Sequence, residues 1–261
     1  MHSPAGTARA ARVVASGLLL ALAACAGGSG DGGAPGRPPT PSSVSSSPAP
    51  STVASEPKVY VAVGASETVG VGADDPQTQA WPQVLHDRAL PGTELVNLGV
   101  SGSTVREALT SQLPRALTAE PDVVTVWLAV NDAISLVPVS DYGAALQELV
   151  HALRRSGRTE VLVGNVPPLD RLPAYRACLP GTPATDVACV LPIVPSPAQV
   201  RATVAAYNAA IARVAAREGA VLVDMSADRS LARLTGTDGF HPSTRGHRAV
   251  ARAFARALRT G

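Results

Sequence analysis

Ser66, at the end of an apolar run, and Asp238 and His241, three residues apart near the C-terminus, are the side chains that can do chemistry together. A serine hydroxyl attacks carbonyl carbon only when a base removes its proton, and a carboxylate beside the base fixes its tautomer and stabilises the imidazolium. Ser66 as nucleophile, His241 as general base and Asp238 as its orienting acid supply those parts. The chemistry also needs donors for a developing oxyanion. Gly99 offers an unobstructed backbone N–H, Ser66 its own N–H, and Asn131 a side-chain amide. Such a set predicts a rate that falls in acid as the imidazole base becomes protonated.

Elements must place these residues together across a long stretch of chain. Short apolar runs rich in β-branched residues at Val59–Val63, Leu95–Leu98, Val123–Ala129, Val161–Val163 and Val221–Val223 read as strands buried on both faces. Helical spacing runs through Thr104–Gln112, Tyr142–Arg155, Pro197–Glu218 and Ser243–Leu258. Alternating strands and helices predict a three-layer α/β/α domain around a mainly parallel five-stranded sheet. In such a sheet the ligand sits at the carboxyl ends of the strands. Ser66, Gly99 and Asn131 each follow a strand.

The four blocks, in order, resemble the SGNH hydrolase superfamily, or GDSL-type esterases, from Val59 to Leu258. The resemblance places Ser66 on the nucleophile, Gly99 and Asn131 on the oxyanion residues, and Asp238 and His241 on the rest of the triad. It implies a flavodoxin-like fold, no cofactor, and hydrolysis of esters, thioesters or acyl groups on carbohydrate. Two positions depart from its pattern: GDS is here Gly64-Ala65-Ser66, and GxND is Ala129-Val130-Asn131-Asp132. Ala65 lacks a carboxylate that would buttress the nucleophile turn, and Ala129 adds a methyl where the strand end favours none.

Other classes fit poorly. Lys58 is the single lysine and lies outside any P-loop, Schiff-base or SxxK context; no HExxH helix or GxSxG elbow occurs. Lys plus Arg number 22 against 20 acids, and Arg9 and Arg12 lie in the leader, so no basic footprint for nucleic acid remains. Ser101 is a weaker alternative nucleophile, and Gly70-Val71-Gly72 lacks the third glycine of a dinucleotide loop and reads as a flexible wall. His86, His151 and His247 read as structural or solvated, Asp132 as a brace for the Asn131 turn, and Trp127 as core.

Residues 1–24 have the basic start and apolar run of a signal peptide, ending in Leu22-Ala23-Ala24-Cys25. This resembles a bacterial lipobox and implies lipidation of Cys25, export, and anchoring on the outer face of the membrane. Residues 25–56 are a Gly/Pro/Ser-rich tether with a reach of roughly 30 Å, and residues 57–261 form one hydrolase domain. In an exported chain, Cys178 and Cys189 are expected to pair and pin the long Val166–Ser196 segment. That segment then forms a wall of the pocket, with Leu169, Leu172, Leu179, Val190, Leu191 and Ile193 suited to an acyl chain. The expected partner is a small ester or lipid substrate. A cell-wall O-acetyl esterase, a thioesterase and a noncatalytic ligand-binding lipoprotein are the other readings.

Overall fold

The computed structural model describes residues 59–258, apart from 184, 185, 192 and 229. The expected signal peptide over residues 1–24, the lipidation expected at Cys25 and the expected tether over residues 25–56 lie outside the described residues. Five strands, β1 (Val59–Gly64), β2 (Glu94–Asn97), β3 (Val123–Trp127), β4 (Glu160–Gly164) and β5 (Val221–Val223), form one parallel sheet in the order β2-β1-β3-β4-β5. This is the flavodoxin-like order, which reverses direction beside β1.

Alternation along the strands builds two cores. Val61, Val63, Val124, Val126, Val161 and Val163 face one side, where the helices Val105–Ser111, Val139–Arg154 and Pro197–Glu218 cover them. Tyr60, Ala62, Trp127, Leu162 and Val223 face the other, beneath the helices Trp81–Ala89 and Thr244–Leu258. Both faces of the central strands β1, β3 and β4 are therefore dry, which explains why these read as continuous rather than alternating apolar runs, while the edge strands β2 and β5 are partly exposed. In these layers the Tyr60 hydroxyl lies 2.9 Å from Thr125 Oγ1, both buried, whereas Trp81 Nε1 is buried without a hydrogen-bond partner among the described residues.

The helices read from sequence did not include Trp81–Ala89, which carries Pro82 as its second residue. The proline occupies the first turn, where its missing N–H costs nothing. Pro114 does the same in the short helix Leu113–Thr118, just past the predicted Thr104–Gln112 helix. At the other boundary in question, β3 stops at Trp127, two residues before the predicted end. Ala129 has φ +151° and ψ −29°, incompatible with a continuing strand. A non-glycine residue in that region carries about 1–3 kcal/mol of strain, and it opens the Val130–Ile134 helix that bears Asn131.

Candidate active site

β1 ends at Gly64, and the chain turns at once into a four-residue helix that begins with Ser66. As the first helical residue, Ser66 has an N–H without an intrahelical acceptor. With Ala65 in place of a carboxylate, the turn is held by other groups. The fully buried Gln112 side chain accepts from Gly64 N–H at 2.9 Å and donates to Gly64 O at 3.0 Å and Ser103 Oγ at 3.1 Å. Asn97, closing β2, donates to Thr68 O at 2.7 Å. Neither residue was singled out from sequence, because a Gln within a helical stretch and an Asn at a strand end carry no signal of what they will meet.

His241 arrives from the opposite end of the chain. Its Nε2 lies 2.9 Å from Ser66 Oγ, and its Nδ1 lies 2.6 Å from Asp238 Oδ2. These partners favour one tautomer: Nδ1–H donates to the carboxylate and Nε2 accepts from the serine hydroxyl. Asp238 Oδ1 accepts from the N–H of Phe240 at 2.9 Å and of His241 at 3.0 Å, locking the turn that carries both side chains. Burial acts to raise the Asp238 pKa, but these two N–H groups and the imidazole outweigh it and hold the carboxyl below the ordinary range. Asp238 is thus ionised where an imidazolium would need it.

Packing sets the position of that turn. Gly239 has φ +67°, and its carbonyl accepts from Ala174 N–H at 3.0 Å; a Cβ there would stand 2.8 Å from Ala174 N. The segment after β4 therefore abuts the Asp238–His241 turn directly. Gly72 is packed as tightly, since a Cβ would come within 2.4 Å of Pro242 O. The Gly70–Gly72 segment, read as a flexible wall, is instead an abutment for the His241–Pro242 peptide. Beneath it, fully buried His247 contacts Val71 O through Nε2 and accepts from Trp81 N–H through Nδ1, and burial lowers its pKa. His247 is structural. His86 and His151 lie in a bond with Thr93 O and a surface pair with Glu218, respectively.

Among the oxyanion candidates the geometry divides. Asn131 Nδ2 donates to Ser103 O at 3.0 Å, leaving its second amide hydrogen free of that bond. Gly99 N–H is not unobstructed as read from sequence: it donates to Asn97 Oδ1 at 3.0 Å. Asn131 reaches the turn at Ser103, next to the exposed Gly102 with φ +82°. Ser101, the alternative nucleophile, is exposed in the same turn. Asp132 braces more than its own turn, since its carboxylate accepts from Val105 N–H at 3.2 Å, 27 residues away.

A cleft with about 500 Å³ of space, open to solvent, is lined by Glu67, Phe240 and Pro242, the chain neighbours of Ser66 and His241. Trp127, Val130, Leu169, Leu172, Phe240 and Val250 line it. Trp127 is therefore both core, stacked edge-on against Trp81 with centroids 6.1 Å apart, and pocket wall. Cys178 and Cys189 are joined in a disulfide, with Cα atoms 4.8 Å apart. The Val166–Ser196 segment, within which the disulfide closes residues 178–189, splits the predicted acyl-binding residues. Leu169 and Leu172 line the cleft, and Leu179 and Leu191 pack behind it with Tyr175 and Phe240. Val190 and Ile193 face solvent, at 78% and 82% exposure, so they are not wall residues.

Glu67 escaped the sequence reading. Its Oε2 lies 3.4 Å from Ser66 Oγ, and it lines both the main cleft and a second, smaller depression lined also by Ala129 and Asn131. Burial raises its pKa, against the lowering effects of its own backbone N–H, His241 and Ser66. Among the described residues, no group of three or more His, Cys, Asp or Glu side chains is placed to hold a metal ion.

Solved structures share this architecture. TesA is 20% identical, with a TM-score of 0.60 over 78% of this chain and 99% of its own. The extracellular lipase of Streptomyces rimosus is 20% identical, with a TM-score of 0.57 over 77% and 99%. A catalytic mutant of the acetylxylan esterase Axe2 from Geobacillus stearothermophilus is 20% identical, with a TM-score of 0.56 over 77% and 94%. Such likenesses establish the fold. A comparison with curated proteins finds no match. The sequence itself matches the GDSL-like lipase/acylhydrolase family over residues 62–249, from within β1 to within the last helix. A flavodoxin-like sheet, a serine, histidine and aspartate in line at its carboxyl edge, and a family match spanning most of the chain lead to one assignment: the chain belongs to the GDSL-like lipase/acylhydrolase family of hydrolases.

Proposed function

We propose that the protein is a serine esterase that cleaves carboxylic esters through an acyl-enzyme on Ser66. The observation that carries this reading is the continuous line from Ser66 Oγ through both ring nitrogens of His241 to Asp238, at 2.9 and 2.6 Å, between residues 175 positions apart. Ser66 Oγ attacks the ester carbonyl carbon while His241 Nε2 takes its proton, and Asp238 stabilises the imidazolium. The tetrahedral oxyanion accepts from Ser66 N–H and the second amide hydrogen of Asn131. The N–H of Gly102 is the preferred backbone donor from the neighbouring turn, since that of Gly99 is engaged by Asn97. Collapse breaks the bond to the alcohol oxygen, which receives the proton from His241. Water, deprotonated by the same imidazole, then attacks the acyl carbon and releases the acid and Ser66.

The apolar cleft favours short-acyl or lipid esters. Carbohydrate O-acetyl groups and thioesters are the alternative substrates of the same machinery, and the likeness to an acetylxylan esterase keeps the first in view. We also propose that Cys25 is lipidated and anchors the exported enzyme to the outer face of the membrane; metabolic labelling with a fatty acid should mark the wild-type chain and not Cys25→Ser.

The test of the esterase is hydrolysis of p-nitrophenyl esters, from acetyl through palmitoyl, by the full chain beside Ser66→Ala, with a fluorophosphonate probe. Turnover lost in the mutant is expected, and the chain-length optimum separates a small-acyl enzyme from a lipase. Neither turnover nor labelling of Ser66 would refute the esterase and favour a noncatalytic binding lipoprotein.

A further inference from the structure

We propose that Glu67 is a specificity-determining carboxyl, selecting acyl groups that carry a hydrogen-bond donor, hydroxyl or ammonium, within a few bonds of the scissile carbonyl. The inference rests on the serine-esterase reading and deepens it. Glu67 is the one ionisable side chain lining either cavity, and it belongs to both. Its neighbours there include Trp127, Val130, Leu169 and Phe240. Besides the Trp127 indole, Thr235 and Asn131 are the lining side chains with polar groups; the indole N–H is committed to Asn165 O at 3.1 Å and one Asn131 amide hydrogen to Ser103 O at 3.0 Å.

A plain alkyl chain entering this space strips water from the Glu67 carboxyl and adds no partner to its own backbone N–H and the Ser66 hydroxyl, a penalty for any buried polar group. A hydroxyl or ammonium on the acyl chain restores the bond. The upward push that burial gives its pKa is the same unmet demand. Reaction geometry adds a second effect. The Ser66 hydroxyl has one proton and two acceptors in reach, His241 Nε2 at 2.9 Å and Glu67 Oε2 at 3.4 Å. Attack requires the proton on the histidine side. A substrate donor that occupies Glu67 removes the competing acceptor, so the fitting acyl group both binds and aligns the nucleophile.

The experiment compares kcat/KM of the full chain on p-nitrophenyl 3-methylbutyrate, 3-hydroxybutyrate and 3-aminobutyrate, which differ only in CH3, OH or NH3+ at one position. Wild type is expected to favour the hydroxyl or the amino ester over the methyl ester by about tenfold or more. Which of the two leads identifies the donor. Glu67→Leu should reverse the order in favour of the methyl ester. Glu67→Gln, whose amide oxygen still accepts, should keep a hydroxyl preference and lose an amino one. Fluorophosphonate labelling of Ser66 in both variants shows that the site is assembled. A Glu67→Leu enzyme that labels normally and ranks the three esters as wild type does overturns the proposal. If no ester is cleaved and Ser66 is not labelled in the wild type, the serine-esterase reading falls, and this proposal with it.

Discussion

Asp132 offers a test of how the strand-end turns are held. Its side chain is 2% exposed and accepts a backbone N–H from Val105. Desolvation dominates over that bond, so the carboxyl is pushed from an ordinary 3.8 up to about 6. A folded-state pKa above the unfolded one means that the native protein binds the proton more tightly. Its contribution to stability is therefore full below about pH 4 and is lost as pH rises through 6. A displacement of this size corresponds to about 3 kcal/mol at full effect, with relaxation around the buried group lowering it to about 2. Asp132→Asn keeps an oxygen for Val105 N–H and removes the titration. Other carboxyls titrate in the same range, so the informative quantity is the difference between variant and wild type in urea unfolding at pH 4, 5, 6, 7 and 8. That difference should move in favour of the variant by about 2 kcal/mol between pH 4 and pH 7, on top of a constant offset from the new amide. A difference that stays flat across the series would show that Asp132 is not held against its charge, and the argument from desolvation would be wrong.

Gly239→Ala should reduce kcat far more than it reduces binding. The left-handed backbone costs an alanine about 1–2 kcal/mol, and its Cβ meets the backbone of Ala174, so the Asp238–His241 turn must shift. A displacement near 1 Å costs about 100-fold, and wild-type turnover would refute the packing argument. Cys178→Ser with Cys189→Ser opens a loop with an 11-residue separation, worth about 3 kcal/mol by chain entropy; calorimetry checks this. Because this loop lies within Val166–Ser196, whose Leu169 and Leu172 line the cleft, the double variant should also change acyl-length preference, and an unchanged preference sinks the role of the segment as a wall.

The main elements were legible because their causes are local in sequence. Strands buried on both faces must be apolar throughout, which made Val59–Val63 readable to within a residue, and the apolar Val221–Val223 was read as closely although it is a partly exposed edge strand. The Pro197–Glu218 helix was readable at both ends, since Ser196 and Gln199 form a capping box and Gly219 closes it in a left-handed conformation. Ser66, Asp238 and His241 stood out because their residue types and neighbours carry a chemical requirement, and the structure brings those three together. The helix beginning at Trp81 did not stand out, because a proline's effect depends on which turn it enters.

The rest was decided by contacts between distant segments, which no window of sequence contains. That Gly99 N–H is engaged depends on where the Asn97 side chain turns, and the buttress replacing a carboxylate at Ala65 comes from Gln112, 47 positions onward. Val190 and Ile193 look as apolar as Leu169, yet only the fold says which of them faces the cleft. Glu67 is one residue from Ser66 and is an ordinary acid by sequence. Its standing as a carboxyl between two apolar cavities arises only when Trp127, Leu169 and Phe240 close around it, because a polar group's cost and use are set by what replaces its water.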